Sequence, residues 1–291
     1  MKSKNIKLKK KFGLLSIKNP LNKNDLLKHY SLNYFNNKNI NFKPKYSKLE
    51  LENKFYNFKI YSYFIKKFFK KKINCLEIGC GEGYGAKYLY KKVNYFGTEL
   101  SDAPIKNHNK SILNKIEFFK GDFLDLNNKK KFDAIIMNGV LEHLIDLKKV
   151  NKFLNLKLKK NGLLLVSVPN DFNLFHKFFL RENLIKNEKA PWVSHEHIHY
   201  FNKQSLEKLF KKNFKPISIL GDFPIDIFLI NNKTNYYINK SFGKEANDIR
   251  TKFYSIIFGK KNLPLNKYIK FCESLSDIGL GRSLLACFKK R

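Results

Sequence analysis

The fold is decided by the segment Leu76-Glu77-Ile78-Gly79-Cys80-Gly81-Glu82-Gly83-Tyr84-Gly85, in which a predicted strand ends and a predicted helix begins. Glycines at such a junction let the backbone turn tightly and approach a ligand without side-chain obstruction. The dinucleotide-binding pattern G-x-G-x-x-G would occupy the same junction. Gly79 and Gly81 fit that pattern, but its third glycine falls on Tyr84. The loop therefore predicts a ligand site that does not match that of a dinucleotide.

Strands and helices are predicted to alternate on both sides of this loop. The predicted strands cover 73–78, 93–99, 116–120, 132–137, 163–168 and 217–220, and the predicted helices cover 48–72, 84–91, 103–113, 147–159 and 204–212. Alternation with fully apolar strands favours a parallel sheet covered on both faces. The fold class is therefore α/β and Rossmann-like, and the apolar run 283–288 is expected to form a last edge strand.

Three acidic residues are expected at the carboxyl edge of this sheet, where ligands of open α/β sheets bind. Glu77 precedes the first glycine, Glu99 ends the second predicted strand, and Asp122 follows the third. A carboxylate at position 99 can accept two hydrogen bonds from a ribose diol. Glu77 suits a cation better than a pyrophosphate. The inferred ligand is a positively charged nucleoside without phosphates, although each acid could also be an ordinary capping, strand-end or turn residue.

The strongly basic composition permits two interpretations. The formal net charge is +34 at pH 7, and lysines that neutralise phosphates give strong non-specific affinity for nucleic acid. However, only four of the 58 basic residues are arginine, whose bidentate fork commonly contacts phosphates and bases. The lysines are scattered and accompany 35 asparagines, which is typical of A/T-rich codons. We therefore expect solvated lysine faces, with attraction to an anionic substrate or membrane surface as the alternative.

The cysteines and apolar runs indicate the cellular setting. Cys75, Cys80, Cys272 and Cys287 form neither a zinc-type spacing nor a disulfide framework, which favours a reducing, cytoplasmic location. The apolar stretch 12–17 is too short for a signal-peptide core. No apolar run approaches the length that spans a bilayer. We expect a soluble protein without a transmembrane segment, for which peripheral membrane contact stays open.

Together these segments resemble the class I S-adenosylmethionine-dependent methyltransferases, from about residue 73 to residue 170. The loop 77–83 matches that family's glycine-rich signature, and 132–144, which contains Val140-Leu141-Glu142-His143-Leu144, resembles its fourth-strand segment. The resemblance implies S-adenosylmethionine as cofactor and a seven-stranded, mostly parallel sheet whose final strand is antiparallel.

The same resemblance implies roles for individual residues at the cofactor. Gly79, Gly81 and Gly83 would line its methionine part, and Glu99 would hold the ribose hydroxyls. Asp122 would contact the adenine amino group, with Phe123 beside the ring. Glu77 and Asn138 complete the predicted cofactor site.

Histidines are the candidates for catalysis on the acceptor side, since transfer to a hydroxyl or an acidic carbon requires removal of a proton. His195, His197 and His199 would share one face of an extended chain, which suits a general base, a metal site or neither. By resemblance, this stretch caps the acceptor pocket in relatives that act on small molecules and sugars. We predict His197, His199 and His143 as catalytic residues and no metal, with structural roles as the alternative.

The chain is expected to form one elaborated domain. Residues 1–70 would form an N-terminal helical cap, 71–222 the S-adenosylmethionine-binding core, and 223–291 a lid insertion with the closing strand of the same domain. The many Phe and Tyr residues of the cap and insertion suit an aromatic or lipid-linked acceptor, and they equally suit an ordinary apolar core.

The predicted function is O- or C-methylation of a small molecule. A sugar or glycan precursor, nucleotide- or lipid-linked, is favoured over a quinone precursor. A nucleic-acid methyltransferase is disfavoured because Asn138-Gly139-Val140-Leu141 stands where base-methylating enzymes usually carry D/N-P-P-Y/F. The intact glycine loop also argues against a relative that binds the cofactor without catalysis.

Overall fold

The computed structural model describes residues 7–11, 14–29, 46–101, 114–127, 129–182, 184, 190–194, 196–258 and 264–291. The N-terminal part contains strands β1 (Leu8–Lys11) and β2 (Leu14–Ile17) and helices α1 (Lys23–His29) and α2 (Lys48–Phe68). The rest of the described chain contains, in order, β3 (Asn74–Ile78), α3 (Tyr84–Leu89), β4 (Asn94–Glu99), β5 (Glu117–Lys120), β6 (Phe132–Asn138), α4 (Leu147–Lys157), β7 (Leu158–Pro169), α5 (Leu174–Arg181), β8 (His199–Tyr200), α6 (Lys203–Phe210), β9 (Phe214–Gly221), α7 (Phe242–Phe258), α8 (Leu265–Asp277) and β10 (Ser283–Lys290).

A seven-stranded sheet in the order β5-β4-β3-β6-β7-β10-β9 forms the centre of the molecule. The strands β3 to β7 pair in parallel, and β10 is antiparallel to both of its neighbours. Strand order reverses at β3, so the carboxyl ends of β3 and its two neighbours open a crevice at the switch point. The predicted Rossmann-like α/β fold with a mostly parallel sheet is confirmed.

The sheet is buried on both faces, as its apolar strands predicted. One core cluster joins α2, α3, α7 and α8 to one face, and a second joins α4 and α6 to the other. Side chains of β6 alternate between the two clusters, with Ile136 in the first and Ile135 in the second. Strands of this kind read as continuous hydrophobic runs because neither face meets water.

The N-terminal cap and the late insertion pack against each other on the first face. The ring of Tyr56 on α2 stacks on that of Tyr254 on α7, with centroids 4.0 Å apart. Its hydroxyl lies 2.9 Å from the hydroxyl of Tyr268 on α8. The aromatic residues of these regions thus form an apolar core between the two additions.

Two expectations about the elements need correction, and one lies outside the described residues. The run 283–288 forms β10, which lies inside the sheet between β7 and β9 and not at its edge. Residues 1–70 are not only helical, since β1 and β2 form a hairpin that pairs with β8 in a second, three-stranded sheet. The predicted helix 103–113 falls on residues that are not described. In the described part of the chain, no helix is long and apolar enough to cross a membrane.

Candidate active site

A crevice of about 600 Å³ opens at the carboxyl ends of β3, β4, β5 and β6. Most residues predicted from the sequence to bind the cofactor line it: Glu77, Gly79, Gly81, Glu99, Asp122, Phe123 and Asn138. Of the predicted catalytic residues, His143 lines the crevice. Gly83, His197 and His199 are not among the lining residues. Gly83 instead precedes α3 with a φ of 73°, so its contribution is to the turn.

The glycine loop needs its glycines for two different reasons. Gly79 has a φ of +68°, and a Cβ there would lie 2.6 Å from Cγ2 of Val140. Gly81 also has a positive φ, of +48°, but a Cβ there would meet nothing within 4 Å. Gly79 therefore allows close packing of β3 against the β6 loop, whereas Gly81 presents bare backbone to open space.

Glu77 is a buried acid at the base of the crevice. Its Oε2 accepts a hydrogen bond from the hydroxyl of Tyr95. Burial raises the pKa of Glu77 to about 8, partly offset by that hydrogen bond. A cationic ligand in the crevice would favour the ionised form of Glu77, since its charge would compensate that of the carboxylate.

Glu99, at the end of β4, accepts three backbone hydrogen bonds. Its Oε2 accepts from the amide of Gly81 at 3.0 Å, and its Oε1 accepts from the amides of Leu100 and Ser101. Burial raises its pKa, although these hydrogen bonds oppose the shift. A carboxylate has about four lone-pair positions, so Glu99 can still accept from a ribose while it holds the loop.

Residues that follow β5 and that end β6 complete the lining of the crevice. Asp122 caps the short 3-10 turn Phe123–Asp125 by accepting the amide of Leu124 at 3.0 Å. The ring of Phe123 packs edge-on against Phe153, with centroids 5.0 Å apart. Asn138 Oδ1 accepts from the side-chain amide of Asn57 at 2.7 Å. These contacts leave an apolar ring beside an acid, the pairing expected for an adenine base.

The N-terminal cap contributes lining residues that the sequence did not reveal, namely Leu26, Lys54 and Phe58. Lys54 Nζ forms an ion pair with Glu82 of the glycine loop at 3.1 Å, and the hydroxyl of Tyr46 donates to the same carboxylate. The basic and aromatic face of the predicted helix 48–72 was the available signal. Nothing in the sequence, however, connected that face with the loop.

His143 has a defined hydrogen-bonding state. Its Nδ1 lies 2.7 Å from the carbonyl oxygen of Glu196, and because a carbonyl can only accept, Nδ1 carries the proton. When the ring is neutral its lone pair is on Nε2, which lies 3.8 Å from Oε1 of Glu142. Burial raises the pKa of Glu142 to about 7. The ring is oriented as a base whose protonated form would be stabilised by the neighbouring carboxylate.

His197 links His143 to a second group of polar side chains, Asp171 and Arg282. The rings of His197 and His143 meet edge-on at 5.0 Å. Asp171 is 1% exposed, with His197 Nδ1 at 3.8 Å and Arg282 Nη1 at 3.7 Å. Burial lowers the pKa of His197, but the carboxylates of Asp171 and Glu142 outweigh burial and leave it raised. We call Asp171, His197 and Arg282 the polar cluster.

His199 lies apart from this arrangement. It belongs to β8, its Nδ1 lies 2.8 Å from the hydroxyl of Ser16 on β2, and it is 9% exposed. Burial lowers its pKa to about 4, so the ring is neutral at physiological pH. The structure thus does not bring His197 and His199 to one face, because only His199 lies in the short strand.

Glu142, His143 and His197 could hold a metal ion, since one ligand atom of each lies within 4.8 Å of the others. Against the effect of burial, the carboxylates of Asp171 and Glu142 raise the pKa of His197, so these side chains also interact through charge. We therefore interpret these three side chains as a proton-transfer and charge network. The absence of a metal stays a prediction.

The fold and the crevice define a nucleoside-binding α/β domain whose acids favour a cationic ligand. Residues 53–217 match the family model described as a methyltransferase domain, which covers more than half of the chain. The chain belongs to this methyltransferase family, and its cofactor is S-adenosylmethionine. The buried Glu77, the bare backbone at Gly81 and the ribose-compatible Glu99 fit that cofactor.

Individual relatives match less of the chain. A malonyl-[acyl-carrier protein] O-methyltransferase of Calditerrivibrio nitroreducens is 34% identical over 100 residues, which is 34% of this chain and 39% of that protein. A SAM-dependent methyltransferase from Archaeoglobus fulgidus has a TM-score of 0.46 at 16% identity, covering 80% of this chain and 94% of the other. Geranyl diphosphate C-methyltransferase from Streptomyces coelicolor A3(2) has a TM-score of 0.47 at 14% identity, covering 80% and 77%. Similarities this low carry no information about the substrate.

Proposed function

We propose that this protein methylates a hydroxyl group of a small polar molecule, with a sugar or glycan precursor as the favoured acceptor. The observation that supports this most directly is His143, which lines the crevice and has its lone pair on Nε2. A hydroxyl is a poor nucleophile until its proton is removed, so a fixed imidazole base beside the cofactor is what such an acceptor requires.

We further propose that the cofactor is held by Glu77, Gly79, Gly81, Glu99, Asp122, Phe123 and Asn138. When bound, S-adenosylmethionine supplies an activated methyl group on a sulfonium. The chain's own residues then need only to bring the acceptor oxygen close and to exclude water, which supplies much of the rate enhancement for such displacements. Gly83 would serve the loop's geometry and not contact the cofactor.

The polar cluster lies behind His143 and is not part of the crevice lining. The carboxylate of Asp171, which is 1% exposed, faces both His197 and Arg282. We propose that the cluster holds His197 against His143, and that the acceptor is recognised by the residues that line the crevice.

In the proposed step, His143 Nε2 takes the proton of the acceptor hydroxyl as the new carbon–oxygen bond forms and the carbon–sulfur bond breaks. Nδ1 donates its proton to the carbonyl oxygen of Glu196, which orients the ring. Glu142 stabilises the imidazolium that results. His197 positions this pair from the side of the polar cluster. His199 has a structural role in the small sheet.

The test is the exchange of His143 for Ala, assayed with a panel of neutral sugars, phenols and carboxylates. We expect turnover to fall by about 10² to 10⁴, the usual contribution of a general base, while S-adenosylhomocysteine binds as tightly as to the wild type. His199→Ala is the matched control and should keep its turnover if it folds. Turnover of His143→Ala equal to that of the wild type would contradict the assignment of His143 as the base. A preference for carboxylates or quinone precursors would contradict the acceptor class.

A further inference from the structure

Helix α5 exposes apolar and basic side chains along one stripe. Leu174, Lys177, Phe178 and Arg181 are all exposed and recur at the spacing of one helical face. Leu174 is 50% exposed and Phe178 is 41% exposed, although both are large apolar residues. The inner face of the same helix is buried through His176 and Phe179. The exposed stripe therefore combines apolar and cationic side chains on one side of the helix.

The loop that follows β9 exposes a second group of the same kind. Ile227, Ile230 and Ile238 are 47%, 61% and 68% exposed, and Lys233 and Lys240 are exposed between and beside them. The loop folds back on itself, because the Thr234 hydroxyl donates to the carbonyl of Phe228 at 2.7 Å and the Asn235 amide donates to that of Leu229 at 2.9 Å. It is an ordered surface feature held by its own hydrogen bonds.

The elements that carry these two groups meet in the interior. Asp226 accepts from the side-chain amide of Asn173 at 2.7 Å, and His176 Nε2 lies 3.4 Å from the same carboxylate. The hydroxyl of Tyr236 also donates to Asp226 at 2.7 Å. Helix α5 and the loop are therefore tied to each other through one buried carboxylate.

We propose that these two exposed groups, which together we call the apolar–basic face, dock jointly on an anionic lipid bilayer. Apolar side chains that enter the acyl boundary together with cations that meet anionic headgroups are the composition of peripheral membrane faces. Glu182, which pairs with Arg181 at 2.8 Å, is an acidic neighbour. A second copy of this chain is a poor occupant, because two molecules of charge +34 repel each other.

The residues of the apolar–basic face lie outside the crevice lining, so that docking can be measured separately from cofactor binding. The docking inference does not depend on the acceptor's identity, since it concerns lipid binding by the protein alone.

The experiment is sedimentation of the full chain with vesicles of phosphatidylcholine, with and without phosphatidylglycerol. We expect binding to the anionic vesicles, weakened by salt, and little to phosphatidylcholine alone. The double variant Phe178→Ser/Ile230→Ser should bind at least about tenfold more weakly. The control is Leu156→Ser/Lys160→Glu, which alters exposed residues at the other end of β7 and should bind as the wild type does.

Three results would overturn the inference. The wild type could fail to bind anionic vesicles, or the double variant could bind as well as the wild type, which would assign the affinity to diffuse charge. Concentration-dependent dimerisation lost in the double variant would assign the face to a second copy. Unfolding temperature and S-adenosylhomocysteine affinity, measured for every variant, separate loss of docking from loss of fold and of the proposed function.

Discussion

Glu142 and His143 are neighbours in the chain with opposite surroundings. Glu142 is 3% exposed and Oε2 has no hydrogen-bond partner among the described residues, whereas His143 reaches the crevice. Burial raises the pKa of Glu142 to about 7, so its charge changes near physiological pH. Because only the ionised carboxylate stabilises an imidazolium, the proposed base depends on the protonation of Glu142.

This dependence predicts a pH profile. The ionised fraction of Glu142 increases as the pH rises through about 7, so turnover should increase over the same interval. In Glu142→Gln the side chain cannot ionise. We expect lower turnover and a weaker dependence of turnover on pH on the acid side of the profile. The measurement is turnover against pH at saturating cofactor for both proteins. An unchanged acid limb in the variant would show that another group titrates there.

At the residue scale, the sequence predicted the cofactor side better than the acceptor side. Glu99 and Asp122 could be placed because strand ends in a parallel sheet share an edge, whatever the rest of the chain does. His199 could not be placed, because the spacing of two predicts one face only if the strand extends to His197. The hydrogen bond between His199 and Ser16, which are 183 residues apart in the chain, could not be predicted from the sequence.

The turn between β3 and α3 has little freedom to change. Gly85 lies in the first turn of α3, where a Cβ would overlap Oε2 of Glu77 and approach the ring of Phe58 to 2.7 Å. Its need for glycine is therefore steric and not conformational. The close approach of α3 to β3 keeps Glu77 in the crevice and positions α2 against the loop.

Replacement of Gly85 by Ala should displace Glu77 or α3. We expect destabilisation of about 1–3 kcal/mol, typical of overpacking, together with weaker cofactor binding. The matched control is Gly243→Ala in helix α7. A Cβ at position 243 would make only an ordinary contact, 3.7 Å from Cβ of Tyr236. Chemical denaturation and titration with S-adenosylhomocysteine measure both effects. Equal stability of Gly85→Ala and the wild type would contradict the close packing described.

The predicted core elements that lie on described residues agree with the structure, because hydrophobic periodicity reports burial directly. The two errors arose where burial depends on distant partners. The sequence of β10 is an apolar run that would fit any position in the sheet. Its place between β7 and β9 depends on strand pairing, which the spacing of apolar residues does not specify. The hairpin β1–β2 is lysine-rich, and its strand state depends on its pairing with β8.

Several buried carboxylates give the whole molecule an uncommon pH dependence of stability. Burial raises the pKa of Glu77 to about 8 and of Glu142 to about 7, from a reference of 4.5. A raised pKa means that the folded state binds protons more tightly than the unfolded state. The resulting stabilisation is present at low pH and is lost as the pH rises through the folded pKa. The lowered pKa of His199 makes stability increase with pH, but only below about pH 6.5.

The free energy of unfolding of the cofactor-free protein should therefore fall between about pH 6.5 and about pH 8. Glu77→Gln removes the largest of these contributions and should flatten the slope. Denaturant titrations at several pH values test this for both proteins. A wild-type stability that rises over this interval, or a variant with the same slope, would show that Glu77 is ionised in the folded state.

The central claim is that the crevice of the whole molecule binds S-adenosylmethionine through its acids and glycine loop. The most direct measurement is calorimetric titration of the wild type and Glu99→Ala with S-adenosylhomocysteine, with NAD as the comparison ligand. We predict micromolar binding of S-adenosylhomocysteine alone. Binding should be at least about tenfold weaker in Glu99→Ala, because hydrogen bonds to a charged acceptor are lost. Glu117→Ala, at an exposed acid on the adjacent strand β5, should bind normally. Absence of binding to the wild type, or a preference for NAD, would contradict the claim.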